Sequence, residues 1–421
     1  MVINSPSNKT TFNYKKAMNK KKIINDPVYG FISIPYEIIY DILEHPYFQR
    51  LRRIKQLGLT HFVYPGALHT RFHHALGAMH LMQKAIRNLQ YKGIDISPEE
   101  AEAATIAILL HDIGHGPFSH ALEHTIVNVH HEDLSVLFME QLNEEFNGAL
   151  SLAIKVFKNE YPKKFLHQLV SSQLDMDRMD YLNRDSFFTG VSEGVIGYDR
   201  IIKMLHVHND EIVVEYKGIY SIEKFLIARR IMYWQVYLHK TVLSAEQMLI
   251  RFFERIKFLS IANTPLELPS SLHFFVKNKV SVTDFRANRK RYLDQFALID
   301  DIDIAYTIKN SIKHPDFILA YLAQCLTHRR LFKTEIQNTE FKSDLLQDIR
   351  LKLEKCITLK NDIDVSWLII KGSESNIAYS TKKDEIKILM KDRQIKKLLE
   401  ASDHIIDSDI LVKHFLCYPK I

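Results

Sequence analysis

The segment 97–120, SPEEAEAATIAILLHDIGHGPFSH, constrains the fold most. Ser97, Pro98 and Glu100 together read as a helix start. Serine caps, proline takes a first position that needs no amide hydrogen, and Glu100 closes a capping box. The helix then becomes almost wholly apolar as it approaches Leu110, so it must be buried. It carries His111 and Asp112 into the interior, and Gly114 and Gly116-Pro117 break it beyond. Two polar side chains at the end of a buried helix need partners. A structural hydrogen bond between them would serve, and so would a metal ion.

Histidine content separates these alternatives. Eleven of the 21 histidines fall between His61 and His131, about one sixth of the 421 residues. Surface scatter would not concentrate them so. His115 and His120 follow the pair on backbone shaped by glycine and proline, and Glu123 sits one helical turn after His120, where it can orient that imidazole. His74 lies upstream and Asp177 downstream. Two imidazoles and two carboxylates make a mixed nitrogen and oxygen shell that suits Mn, Mg, Fe, Zn or Ni. Such a shell leaves room on a six-coordinate ion for water and a phosphate oxygen.

Around this centre the chain reads as mostly α. A turn at 25–30 precedes β-type residues at 31–34, and a helix is expected over about 38–56. Asn209-Asp210 marks a hairpin at 205–217, and helical patterns resume over about 222–259. Pro265 and Pro269 mark a boundary, which divides the chain into a basic flexible start (1–21), a core (22–262) and a C-terminal region (263–421). That last region reads as helical to about 360. It then gives a small α/β lobe, with strand composition in VSWLIIKG, NIAYS and DEIKILM and a helix near 393–401.

Bulk composition excludes little. The net charge is +6 with 25% charged residues. That balance suits an anionic substrate or nucleic acid, but equally a solvated surface. No apolar run approaches the about 18–20 residues that cross a bilayer, and the polar start carries no secretory core. Cys325, Cys356 and Cys417 are too scattered for a zinc or disulfide framework, so a reduced cytoplasmic location is expected.

RFHHALG (71–77), HDIGHGPFSH (111–120), HHE (130–132) and DMDRMDYLNRD (175–185) closely resemble the motifs of the HD-domain deoxynucleoside triphosphate triphosphohydrolases, over about residues 22–260. The resemblance implies an HD helical bundle, and a reaction that cleaves a dNTP to deoxynucleoside and inorganic triphosphate. It makes His74, His111, Asp112 and Asp177 the metal ligands. It makes His115 the histidine near the attacked phosphate, His120 with Glu123 the acid pair, and His131 a neighbouring active-site histidine. Arg71, Arg178 and Arg229 become phosphate contacts, with Arg178 standing where a lysine is usual. Gln56 and Leu57 resemble the segment touching base and 3′-hydroxyl. Tyr181 and Asp185 resemble the sugar pocket, and Tyr237 the tyrosine that excludes ribose. His61, His69, His80 and His124 are expected to be packing or surface histidines. The resemblance also implies nucleotide activation at subunit interfaces of a dimer or tetramer, built partly from Lys22, Asn25, Gln49, Arg52, His239 and Lys240. Two other readings stay open: an HD phosphohydrolase for a cyclic dinucleotide, alarmone or monophosphate, and a nucleic-acid-binding protein with a vestigial site.

Overall fold

The structure, a computed structural model, describes residues 22–357, 363–376, 385–403 and 411–421. The expected basic start at 1–21 lies outside the described residues, as does most of NIAYS (376–380). The chain opens with a hairpin of β1 (Ile23–Asp26) and β2 (Gly30–Ser33). Asp26 Oδ1 accepts the amides of Val28 and Tyr29, both at 3.0 Å, which ties the turn.

The helix expected over 38–56 is instead broken. α1 (Glu37–Glu44) stops at His45, whose backbone is extended because Pro46 follows. A short helix (Pro46–Gln49) and a 3-10 turn (Arg50–Arg53) then run off in a new direction. Arg50 becomes fully buried between the rings of Phe138 and Phe296.

The core is a bundle. α2 (Arg71–Tyr91) packs against α3 (Pro98–Leu110) and α5 (Met176–Thr189), and α4 is His131–Glu145. The capping box of α3 forms as expected: Glu100 N donates to Ser97 Oγ at 3.2 Å and Ser97 N to Glu100 Oε2 at 2.8 Å. Ile106, Ile108, Leu109 and Leu110 are buried, each stabilising the fold by about 1.5–3 kcal/mol. The expected hairpin also forms, as β3 (Leu205–His208) and β4 (Glu211–Glu215), with positive φ at both Asn209 and Asp210.

The long pattern over 222–259 is two helices. α6 (Ile219–Met232) ends in a π-helical turn (Tyr233–Tyr237), and His239 Nδ1 then caps α7 (Lys240–Ile261). The turn, YWQVY, carries no proline or glycine that would mark it in the sequence.

Beyond the core, helices continue through α8 (Asp301–Asn310) and Phe317–Thr327, then give way to β5 (Lys333–Gln337) inside a stretch expected to be helical. Residues 365–368 form a 3-10 turn capped by Asp364 rather than a strand. β6 starts at Ile370 (Ile370–Asn376) and pairs with β9 (Leu411–Tyr418), which also pairs with β5. The helix expected near 393–401 is reduced to one turn (Leu398–Ala401), because Ile395 pairs with Leu389 to join β8 (Ile395–Lys397) to β7 (Lys387–Leu389). β7 then pairs in parallel with β4, so the C-terminal strands extend the core's own hairpin into one sheet. Among the described residues no helix is long and apolar enough to cross a membrane.

Candidate active site

The bundle brings the four expected ligands together. His74 stands in the first turn of α2, His111 caps the C-terminus of α3, Asp112 follows it, and Asp177 lies in the first turn of α5. His74 Nε2 is 3.4 Å from His111 Nε2, 3.6 Å from Asp112 Oδ2 and 3.1 Å from Asp177 Oδ1. His111 Nε2 is 3.3 Å from Asp112 Oδ1 and 3.4 Å from Asp177 Oδ1. Two ligands about 2.1 Å from one ion lie about 3.0–3.4 Å apart at octahedral or tetrahedral angles. His74, His111 and Asp112 can therefore hold a single divalent ion.

The imidazoles are prepared for that role. His74 Nδ1–H donates to Asp180 Oδ2 at 2.7 Å, and His111 Nδ1–H donates to the Ile108 carbonyl at 2.6 Å. In each ring the far nitrogen is committed and Nε2 faces the cluster, the arrangement a metal-bound histidine needs. Burial opposes charge on His74, yet Asp177 and Asp180 outweigh it and push its pKa up to about 10. His111 is raised as well, against burial, by Asp112 and Asp177. Burial also disfavours ionised Asp112 and Asp177, but His111, Arg71 and His115 hold the Asp112 carboxyl, and His111 and His74 that of Asp177, well below the usual range. Without an ion, the cluster draws protons to supply the positive charge its carboxylates require.

Support extends outward through buried ion pairs. Arg184 donates to Asp180 at 2.9 and 3.0 Å and to Asp26 at 2.7 and 3.3 Å. A Cβ at Gly77 would sit 1.9 Å from Asp180 Oδ1, so only glycine admits this contact. Arg50 donates from Nη2 to the carbonyls of Ile113 and His115, at 2.6 and 2.8 Å, and so fixes the HDIGH backbone. Gly114 lets α4 approach: a Cβ there would meet the His131 carbonyl oxygen at 2.1 Å.

Beside the ligands opens a cavity of ≈ 520 Å³, a size that suits a small-molecule ligand. Arg71 pairs with Asp112, and its Nε donates to Ser119 Oγ at 2.9 Å. Phe118 and Ser119 hold positive φ, a strained turn tied by Asp301 of α8, whose Oδ1 accepts the Phe118 amide at 2.8 Å. The His115 and His131 rings stack at 3.8 Å. Glu123 Oε1 accepts from the ring Nδ1 and the backbone amide of His131, both at 2.8 Å, and lies 3.7 Å from His130 Nδ1. The side chain of His120, expected to pair with Glu123, lies outside the described residues.

Gln56, Leu57, Tyr181, Asp185 and Tyr237 line the same cavity. Tyr237 donates its hydroxyl to Asp185 Oδ2 at 2.8 Å, and Asp185 Oδ1 accepts from His69 Nε2, also at 2.8 Å. His69 is a buried packing histidine as expected, stacked on Phe188, but it also orients Asp185. The π-helical turn is what points Tyr233 and Tyr237 into the cavity together. Arg178 and Arg229 are not among the cavity's lining residues. Arg178 Nε is committed to the Ser172 carbonyl at 2.6 Å and to Asp175.

The six residues expected at a regulatory site fall in three stretches of the chain. Lys22, bonded to Tyr40, and Asn25 belong to the N-terminal hairpin. Gln49 accepts from Arg52 at 2.9 Å beyond the His45 break. His239 and Lys240 line a second cavity of ≈ 350 Å³ that shares Leu238, Leu243 and Glu374 with the first.

Residues 71–185 match the HD domain, and 196–263 match the HD associated region. An uncharacterized protein of Bacillus subtilis, YwfO, is 30% identical over 96% of this chain and 93% of its own length. A deoxynucleoside triphosphate triphosphohydrolase SAMHD1 homolog of Dictyostelium discoideum is 33% identical over 62% of this chain and 54% of itself. The crystal structure of a phosphohydrolase from Bacteroides thetaiotaomicron superposes with a TM-score of 0.90 at 50% identity, covering 95% of this chain and all of that one. Fold and site thus define an HD-type hydrolase. The chain belongs to the HD-domain family that includes the deoxynucleoside triphosphate triphosphohydrolases.

Proposed function

We propose that this protein is a metal-dependent dNTP triphosphohydrolase, cleaving deoxynucleoside triphosphate to deoxynucleoside and inorganic triphosphate. The observation that carries this reading is one cavity that joins the four-ligand cluster to the Tyr237–Asp185 hydrogen bond. An HD hydrolase of cyclic dinucleotides or alarmones has no use for a tyrosine locked against the sugar site.

His74, His111, Asp112 and Asp177 would hold a divalent ion, one of Mn, Mg, Fe, Zn or Ni. Such an ion polarises a phosphate oxygen and lowers the pKa of water. Arg71 neutralises phosphate charge, and Arg178 and Arg229 add positive potential from outside the cavity. His115 faces the α-phosphate with His131 stacked behind it. His120 with Glu123 is assigned proton donation to O5′ as the Pα–O5′ bond breaks, and the attacking water's oxygen ends on the triphosphate. Gln56, Leu57, Tyr181 and Asp185 seat the sugar. Tyr237, held by Asp185, occupies the space a 2′-hydroxyl would need.

A nucleotide activator at Lys22, Asn25, Gln49, Arg52, His239 and Lys240, acting through a homodimer or tetramer, belongs to the same proposal. Nucleic acid is not required, and cytoplasmic dNTPs are the assigned substrates. The test is a panel of four dNTPs and four NTPs with Mn²⁺, singly and in pairs, scored for triphosphate. Release from dNTPs alone is expected; only pyrophosphate or monophosphate would overturn the reading.

A further inference from the structure

Among the described residues two carboxylates in the cavity have no hydrogen-bond or ion-pair partner. Glu246 projects from α7 and Glu374 from β6, elements that carry none of the metal cluster, and both line the wall that includes Tyr233. Among the described residues neither accepts a hydrogen bond nor forms an ion pair. Lys413 stands opposite Glu374 in the β6–β9 register, yet its ammonium lies 3.9 Å over the Trp234 ring instead. The two carboxylates also disfavour each other's charge. Burial, then Glu374, push the Glu246 pKa up to about 8, and burial raises that of Glu374. Both side chains are half-buried, and they border a cavity that a ligand would fill.

That cavity is electrically polarised. One end has the Arg71 guanidinium beside the ligand cluster, and the other has the two carboxyl groups beside Tyr233 and Gln247, with no lysine or arginine other than Arg71 among the described lining residues. A triphosphate would be repelled from the second end and drawn to the first, so the base of a bound nucleotide must face Glu246 and Glu374. We propose, resting on the dNTP reading above, that Glu246 and Glu374 read the base and select those with an exocyclic amino group over thymine. Guanine, adenine and cytosine each present an NH₂ donor to a carboxylate. Thymine presents carbonyl acceptors on both sides of a single N–H, and these would face the carboxylate oxygens. Gln247, the next residue on α7, also lines this end.

The test compares kcat/KM for the four dNTPs at about pH 9, where Glu246 is mostly ionised, in the unaltered protein, Glu246→Gln and Glu374→Gln. For the unaltered protein, dTTP is expected at least about tenfold below dGTP, the equivalent of about 1.4 kcal/mol. Either glutamine supplies donor as well as acceptor, so the ratio should narrow to within about threefold while triphosphate release persists. Equal kcat/KM for all four, preference for dTTP, or an unchanged ratio in both variants would overturn the proposal. If Glu246→Gln does not fold, Glu374→Gln on the edge of the lobe carries the comparison. Equilibrium dialysis of the four dNTPs against chelator-treated protein separates the two readings. Ranked binding without triphosphate release sinks the dNTP reaction but keeps base selection, whereas release without ranking does the reverse.

Discussion

The two ends of the cavity are built on opposite principles. At the ligand end the imidazoles are committed on their far side, and the supporting chain from His74 through Asp180 and Arg184 to Asp26 is buried throughout. At the far end Glu246 and Glu374 have no partner among the described residues, and the tyrosines ride on a π-helical turn beside a C-terminal lobe. Rigid preorganisation suits a centre that must hold an ion and a reacting phosphate in fixed geometry. Unsatisfied groups suit a surface whose partners arrive with the ligand. On the proposed reading, chemistry would rest with the helical core and selection with elements later in the chain.

Four experiments break or sharpen that contrast. Asp112→Ala should have the largest effect, because losing an ion's electrostatic contribution of about 4 kcal/mol corresponds to about 10³-fold in kcat. Turnover and bound metal, measured by elemental analysis, should vanish together, and retained turnover would show the cluster is idle. Arg184→Met comes next. It strands Asp26 and Asp180 without their cation, and breaking a buried pair costs about 3–5 kcal/mol. Denaturant unfolding should show that loss, with metal affinity weakened about 10–100-fold; an unchanged midpoint would mean the ion-pair chain is ornamental. Tyr237→Phe removes the hydroxyl that Asp185 fixes, and should lower the dNTP-to-NTP ratio of kcat/KM about tenfold, or about 1.4 kcal/mol, while leaving metal content intact. Loss of metal in that variant would erase the division between the two ends.

The smallest effect is on pH. The folded pKa of His74 is raised to about 10, above the about 6.5 of a free imidazole. Its stabilisation of the metal-free chain is therefore complete below about pH 6.5 and fades as pH rises toward 10. An ion replaces that proton, so the gain in Tm on adding metal should grow from pH 6.5 to pH 9. A gain that shrinks over that range would contradict the protonated cluster.

How much of this was legible in the sequence follows from locality. The Ser97 capping box, the buried helix behind it and the Asn209-Asp210 turn are local codes, and each forms as the residues suggest. The His45-Pro46 break was missed because the apolar spacing continues across it, although Pro46 itself carried the signal. The π-helical turn left no comparable mark. In the site, His74, His111, Asp112 and Asp177 were visible through motifs that keep them in short, dense segments. Asp180 and Arg184 sit inside one of those segments, yet an i,i+4 acid–base pair ordinarily reads as a solvated helix face. Only the third partner, Asp26, far away in sequence, makes it a buried support. Arg50, Glu246 and Glu374 gain their roles entirely from tertiary placement, which no spacing encodes. His69, expected as a packing or surface histidine, is buried, and its bond to Asp185 is invisible from a position outside the motifs.

The most direct test of the central claim follows the oxygen of water. Purified protein with Mn²⁺ and dGTP in H₂¹⁸O is analysed by mass spectrometry of both products. Hydrolysis at the metal-facing α-phosphate predicts ¹⁸O in inorganic triphosphate and unlabelled deoxyguanosine in equal amount, with neither product from Asp112→Ala. Formation of dGMP and pyrophosphate, or label in deoxyguanosine, would contradict it.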